Sequence, residues 1–199
     1  MQAPTSTRRS LLLLAALLAA CDRPLPAPKF NGVDLTGAAY AQDFELTDAN
    51  GQVRRLADFK GKVLVVFFGF TQCPDVCPTT MGELRAVKEA LGPAGADVVP
   101  VFISVDPERD TPEILRAYGA SFGNDFVMLR GSLEQTQAVA KAFKVFYAKV
   151  PGKSEGSYSL DHTAASFLFD RQGKVRVYSR YGTAPEALLA DLKLLLATK

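Results

Sequence analysis

Cys73 and Cys77 stand four apart in GFTQCPDVCPTTM (69–81), among prolines, at the point where an apolar run gives way to a helical pattern. The single histidine of the chain, His162, lies far downstream in SLDHTAAS. Two neighbouring thiols can close as a redox disulfide, hold a soft metal, or sit inert in a core. A bridge across three intervening residues would add little to the fold, because a short closed loop removes little entropy from the unfolded chain. That argues against a purely structural pair. If the segment is helical, positions four apart share one face about 6 Å apart along the axis, which permits a disulfide without enforcing one and leaves room for a metal about 2.3 Å from each sulfur.

Pro78 suits the first turn of a helix, so Cys77 is expected near a helix N-terminus and Cys73 in the turn before it. The positive end of that helix favours a thiolate, which serves equally as nucleophile and as metal ligand. A lone histidine is most often a surface or core residue. Placed beside the thiols, it would complete a Cys2His donor set. Two thiolates select Cu(I) and an imidazole makes Cu(II) tolerable, so copper is favoured; zinc is the second choice, because a structural zinc site wants a fourth protein ligand.

The remaining cysteine, Cys21, follows MQAPTSTRRSLLLLAALLAA, a stretch with two arginines, no acid and an apolar run too short to span a bilayer. Residues 1–20 are therefore expected to be a removed export signal. The LLAAC ending resembles a bacterial lipoprotein signal, which implies that Cys21 carries lipid and that residues 21–29, rich in proline, form a tether. Asp22 resembles an inner-membrane retention signal, so the expected address is the periplasmic face of the inner membrane in a bacterial cell envelope. Without Arg8 and Arg9, the 23 basic residues become 21 against 21 acidic ones. A neutral domain with no basic block lacks the electrostatic footprint for nucleic acid. Residues 30–199, in a chain that is 48% hydrophobic, are long enough for one domain with a proper core.

Several elements must position the three candidate ligands. DFELTDANGQVRRL reads as a hairpin turning at Asn50-Gly51, a dipeptide suited to a type I′ turn. KVLVVFFGF (62–70) and VVPVFISV (98–105) are continuous apolar runs of the kind buried on both faces of a sheet, although Pro100 blurs the limits of the second. The apolar spacing from Thr79 to Leu91 predicts a helix stopped at Gly92-Pro93. Thr111-Pro112 opens another helix to about Phe122, DFVMLRG is a short strand, and Ser132 with Gln135 forms a capping box. VPGKSEGSYSLDH (150–162) reads as a surface loop. A second hairpin turns at Gln172-Gly173, and Thr183 with Glu186 is expected to cap a terminal helix.

This order predicts an α/β domain, a mixed central sheet with flanking helices and an N-terminal hairpin. Cysteines where the first buried strand feeds the first helix match the thioredoxin-like arrangement, at the carboxyl edge where open α/β sheets hold their sites. Thioredoxin-type redox motifs space their cysteines by two residues, not three. In thioredoxin-like folds, the loop entering the buried strand that follows His162 passes beside the pair, which would bring the imidazole to it.

GFTQCPDVCPTTM, ISVDPERDTPE and DHTAASFLFDRQG resemble the signature segments of the SCO/SenC family, and FNGVDLTG resembles its entry segment. Members are membrane-tethered copper chaperones that help build the binuclear copper centre of cytochrome c oxidase. The resemblance implies Cys73 and Cys77 as sulfur ligands and His162 as nitrogen ligand. It also implies an upstream copper donor, the copper-binding oxidase subunit as acceptor, and a carrier of copper rather than a turnover enzyme. Asp106 and Asp110 either shape the turn before a helix or support the site, and Asp161 either caps a turn or orients His162 through a carboxylate hydrogen bond. Phe67, Phe68 and Phe70 read as packing. The competing reading is a thiol-disulfide oxidoreductase, which needs the thiols but not His162. A thiol peroxidase is disfavoured, because Val66 and Phe70 stand where that chemistry places Pro and Thr or Ser. A structural lipoprotein explains neither the pair nor the histidine.

Overall fold

The computed structural model describes residues 29–198. The expected signal, Cys21 and nearly all of the tether lie outside the described residues. Within them no helix is long and apolar enough to cross a membrane.

The central strand is β4 (Val63–Gly69), and every one of its residues is buried. It runs parallel to β5 (Val98–Ser104), reached through helix α1 (Val76–Ala90). Helix α2 (Pro112–Ala120) then leads to β6 (Val127–Arg130), parallel to β5. Pro100 is accommodated because β6 begins pairing only at Val101, so the proline lies before β5 is flanked on that side. Helix α3 (Leu133–Phe143) follows, and then strands β7 (Tyr147–Pro151), β8 (Tyr158–His162), β9 (Ala165–Phe169) and β10 (Val175–Arg180), and helix α4 (Pro185–Ala197). The N-terminal strands are β1 (Val33–Asp34), β2 (Glu45–Asp48) and β3 (Val53–Arg55). Eight strands form a mixed sheet in the order β1-β10-β9-β4-β5-β6-β2-β3, while β7 and β8 pair separately. This is the mixed sheet with flanking helices and N-terminal hairpin that the sequence predicts.

Strand alternation sends successive β4 side chains to opposite faces. Phe67 meets Phe102, which meets Tyr118 of α2, and the same face is covered by α1 and α4 around Leu84 and Leu188. Phe68 faces the other way, edge-on to Phe143 of α3, with Phe167 completing the cluster. The right-handed crossovers β4-α1-β5 and β5-α2-β6 step the same way along the sheet, so both helices fall on one face.

Helix starts follow local chemistry. The Thr111 hydroxyl oxygen accepts the Ile114 N–H at 3.3 Å, and Ser132 and Gln135 form the expected reciprocal box. The terminal helix departs from expectation: Thr183 donates its hydroxyl to the Arg180 carbonyl instead, and α4 begins at Pro185 without a side-chain cap.

Two further expectations are corrected. The first hairpin does not use a type I′ turn, which requires positive φ at both central residues. Among its turn residues only Gly51 has positive φ (83°), and the Asp48 carboxylate accepts the amides of Asn50 and Gln52. The second hairpin repeats the device, with Gly173 at φ 75° and Asp170 accepting from Gln172 and Lys174. An Asp three residues before the Gly is what selects this turn. The segment 150–162 is not simply a loop: β8 occupies its second half, and only residues 152–157 join the two strands. Its glycines and serines mask a strand whose inward face is Tyr158, Leu160 and His162.

Candidate metal centre

β4 ends at Gly69, and α1 begins at Val76, which places Cys77 as the second helical residue. Cys77 is fully buried, and Cys73 is partly exposed. Asp75 stands at the N-cap position but its side chain does not cap. Instead the Cys77 N–H donates to the Cys73 sulfur at 3.4 Å, so the sulfur takes the place usually held by a capping oxygen. The helix terminus thus supplies its free amide and its positive end to Cys73.

Gly69 makes this approach possible. A Cβ there would stand 2.8 Å from Cys77 Sγ and 2.9 Å from atoms of both Phe102 and Phe67. The Cys77 sulfur packs directly over strand backbone that carries no side chain.

His162 ends β8. Along that strand Tyr158, Leu160 and His162 point toward the body, whereas Ser159 and Asp161 are exposed. His162 Nε2 lies 3.5 Å from Cys77 Sγ, and Nδ1 lies 3.2 Å from the Thr163 carbonyl. A carbonyl only accepts, so Nδ1 carries the proton and Nε2 offers its lone pair toward the sulfurs. Phe67 and Phe70 bracket the imidazole edge-on at 6.0 and 5.8 Å. The ligand atoms of Cys73, Cys77 and His162 all lie within 4.8 Å of one another. Atoms that share one metal through bonds of about 2.0–2.3 Å lie about 3–4 Å apart, so the group fits a single ion with little movement.

The two thiols have opposite acidities. Donation by the Cys77 thiol, above all, brings Cys73 down to about 5, with backbone amides of Asp75 and Cys77 assisting against burial. Cys77 is pushed up, by donating to Cys73 and by burial. The pair is therefore a thiolate beside a thiol, and an ion that takes both sulfurs must release the Cys77 proton.

The aspartates divide. Asp110 is buried and accepts the Thr71 hydroxyl at 2.6 Å, the Thr71 N–H at 3.2 Å and the Ser104 hydroxyl at 2.6 Å. Burial raises its pKa. It ties the loop after β4 to the end of β5, behind the cysteines. Asp106 is also buried and accepts from the Tyr158 hydroxyl at 2.8 Å and from Arg109 Nε, while its carbonyl accepts the Asp110 N–H in the turn. Asp161 does not orient His162: it faces solvent on the opposite side of β8, and the Thr163 carbonyl holds the ring. Cys21 lies outside the described residues. Sequence reasoning overlooked Gly69, although a glycine closing an otherwise bulky buried strand signals close approach by another group. It also overlooked Arg109 and Tyr158, whose contact across the chain leaves no mark in local pattern.

A thioredoxin-like sheet that presents a strand-to-helix cysteine pair to an imidazole on a separate hairpin defines a thioredoxin-like protein with a Cys2His donor set. The chain belongs to the SCO1/SenC family, whose sequence profile matches residues 33–197. A SCO2-like protein of Rickettsia felis is 39% identical over 152 residues, 76% of this chain and 74% of that one. The structure of Bradyrhizobium japonicum ScoI with copper bound is similar at 41% identity and TM-score 0.72, over 79% of this chain and 99% of that one. Apo Sco1 from Thermus thermophilus is 38% identical with TM-score 0.75, over 86% and 99% of the two chains.

Proposed function

We propose that this protein binds copper through Cys73, Cys77 and His162 and passes it to the copper-binding subunit of cytochrome c oxidase during assembly. The observation that carries the reading is the convergence of two sulfurs and an imidazole lone pair within 4.8 Å. The copper-bound state of the Bradyrhizobium relative supports it. Soft thiolates suit Cu(I) and the imidazole extends the set to Cu(II), so the cargo can be held in either state. The partly exposed Cys73 and His162 leave a side from which an acceptor's thiolate or imidazole can enter as one ligand leaves. An upstream donor loads the site by the reverse exchange. Lipid on Cys21 would hold the domain at the periplasmic face of the inner membrane, within reach of a membrane-bound oxidase.

The asymmetry of the two thiols favours a second activity at the same atoms. Cys73 thiolate attacks a partner disulfide, forming a mixed disulfide and releasing one partner thiolate; Cys77 then loses its proton and closes the Cys73–Cys77 bond, releasing the second. The partner gains the two electrons that this pair loses. That reaction would keep the acceptor's cysteines reduced, and it removes both sulfur ligands.

The deciding experiment measures copper stoichiometry and absorption spectra on the reduced chain, its Cys77→Ser variant and its His162→Ala variant. A single copper with thiolate-to-copper charge transfer, disrupted by both substitutions, supports the carrier. Unchanged copper binding by His162→Ala, together with reduction of a test disulfide, overturns it in favour of the oxidoreductase.

A further inference from the structure

The hairpin that carries His162 makes no ladder with the main sheet. Through the backbone it is anchored only at its base, by α3, which residues 144–146 join to β7, and by β9, which follows Thr163 and Ala164. The Phe146–Thr163 hydrogen bonds close its base but join the hairpin only to itself. Where the imidazole stands relative to the sulfurs therefore depends on side chains that pin the inward face of β8.

Leu160 is buried on that face and Phe67 and Phe70 flank the imidazole; Arg109, in the loop between β5 and α2, provides the polar part of the attachment. Its Nη1 donates to the Tyr158 carbonyl at 2.8 Å and to Gln72 Oε1 at 3.0 Å. Its guanidinium lies over the Tyr158 ring, 3.7 Å from the centroid, and its Nε donates to Asp106. The Tyr158 hydroxyl donates to the other oxygen of the same carboxylate at 2.8 Å. One planar cation thus touches the residue before Cys73, the strand that ends in His162, and the buried acid between them. Asp106 is 1% exposed at its side chain and Arg109 20%, so this pair is shielded from the screening that makes surface ion pairs weak. The outer pair of Lys149 and Glu108 adds little, since both side chains are about half exposed.

We propose that Arg109 is the positioning residue for His162, latching the β7–β8 hairpin to the cysteine loop so that the imidazole is held over the two sulfurs. Stacking together with donation to a main-chain carbonyl, a side-chain amide and a carboxylate requires a planar group with several fixed donors, which lysine lacks. The inference rests on the copper reading for one of its two measurements and is independent of it for the other. Arg109 touches no ligand atom, so its effect on the ion passes through His162, like the outer partners that orient metal-bound imidazoles elsewhere.

The test uses the full reduced chain with Arg109→Leu, Arg109→Lys and Tyr158→Phe, each alone and combined with His162→Ala. Hydrogen exchange on the metal-free protein should show β8 amides exchanging about tenfold faster in Arg109→Leu, with α1 amides unchanged, if the latch closes the hairpin. Unchanged exchange in β8 overturns the latch, whether or not copper binds. Competition for Cu(I) against a chromophoric chelator should show about tenfold weaker binding in Arg109→Leu and an intermediate loss in Arg109→Lys, at the low end of what outer partners contribute. In the His162→Ala background the same substitutions should change affinity by less than about twofold, because coupled residues are not additive. Equal losses in both backgrounds overturn the proposal by showing that Arg109 acts on the cysteines or the fold. Should Arg109→Leu fail to fold, Arg109→Lys decides by the same comparison, since it keeps the charge beside Asp106 and removes the planar fork and the stack. Absence of copper binding by the parent itself would refute the proposed function and leave the exchange result to decide the latch.

Discussion

Replacing Gly69 by alanine tests whether the approach of the Cys77 sulfur to bare backbone is what builds the site. The new methyl would stand 2.8 Å from Cys77 Sγ and 2.9 Å from carbons of Phe102 and Phe67. Ordinary contact needs about 3.5–4 Å, so neighbours must yield by close to an ångström. All three are buried at 1% exposure or less, in a close-packed interior where moving them strains their neighbours. Overpacking of this kind costs about 1–3 kcal/mol. The least constrained response is rotation of Cys77, which carries its sulfur away from His162 Nε2. Gly82, within α1 on the same helix as Cys77, is the matched control: a Cβ there meets nothing within 4 Å. Gly82→Ala should stabilise the chain by about 0.5–1 kcal/mol, the helix-propensity difference. Urea unfolding of the reduced protein measures both changes, and Cu(I) competition should find binding weakened tenfold or more only in Gly69→Ala. Wild-type stability and copper affinity in Gly69→Ala would refute the packing argument, because the sulfur would then have room that the structure denies it.

Three further outcomes follow from the site. Because the Cys73 pKa is lowered to about 5, its thiolate is already formed at neutral pH; iodoacetamide alkylation of Cys73 should be flat from about pH 6 to 8 and fall only as pH drops through about 5, with Cys77 unmodified, and a rise toward pH 9 would contradict the hydrogen-bonded pair. Asp110→Ala orphans the Thr71 amide, the Thr71 hydroxyl and the Ser104 hydroxyl, so urea unfolding should show a loss of about 2–4 kcal/mol; a loss under about 0.5 kcal/mol would remove it from the account of the loop. Asp161→Asn should leave Cu(I) affinity within about twofold, since the side chain faces away from the imidazole; a tenfold loss in a competition titration would return Asp161 to the role of orienting His162.

Much of the fold was legible because its signals are local. Continuous apolar runs mark β4 and β5, and Thr111-Pro112 and Ser132 with Gln135 mark helix starts at or next to the residues where the chain turns helical. The failures are local as well. Asn50-Gly51 suggested a type I′ turn, but the Asp48 carboxylate satisfies two amides only in the longer turn, and those hydrogen bonds outweigh the dipeptide preference. Thr183 found the Arg180 carbonyl before it could cap α4. β8 does alternate, with Tyr158, Leu160 and His162 inward and Ser159 and Asp161 outward, but it is only five residues long and follows a glycine- and serine-rich approach that reads as loop.

Residue types and spacing were sufficient to nominate Cys73, Cys77 and His162, because few chemistries need a thiol pair at a helix entrance and a lone imidazole. They also indicated that one sheet edge must hold the thiols, since a buried strand feeding a helix leaves no other place. Only the tertiary structure decided how the imidazole faces them. The orientation comes from a carbonyl at Thr163 instead of a carboxylate at Asp161, because strand alternation sends neighbouring side chains to opposite faces. The sulfur's seat over Gly69 and the Arg109 contact with Tyr158 join residues 8 and 49 positions apart in the chain. Contacts of that kind depend on the relative placement of whole elements, and no periodicity along the sequence encodes them.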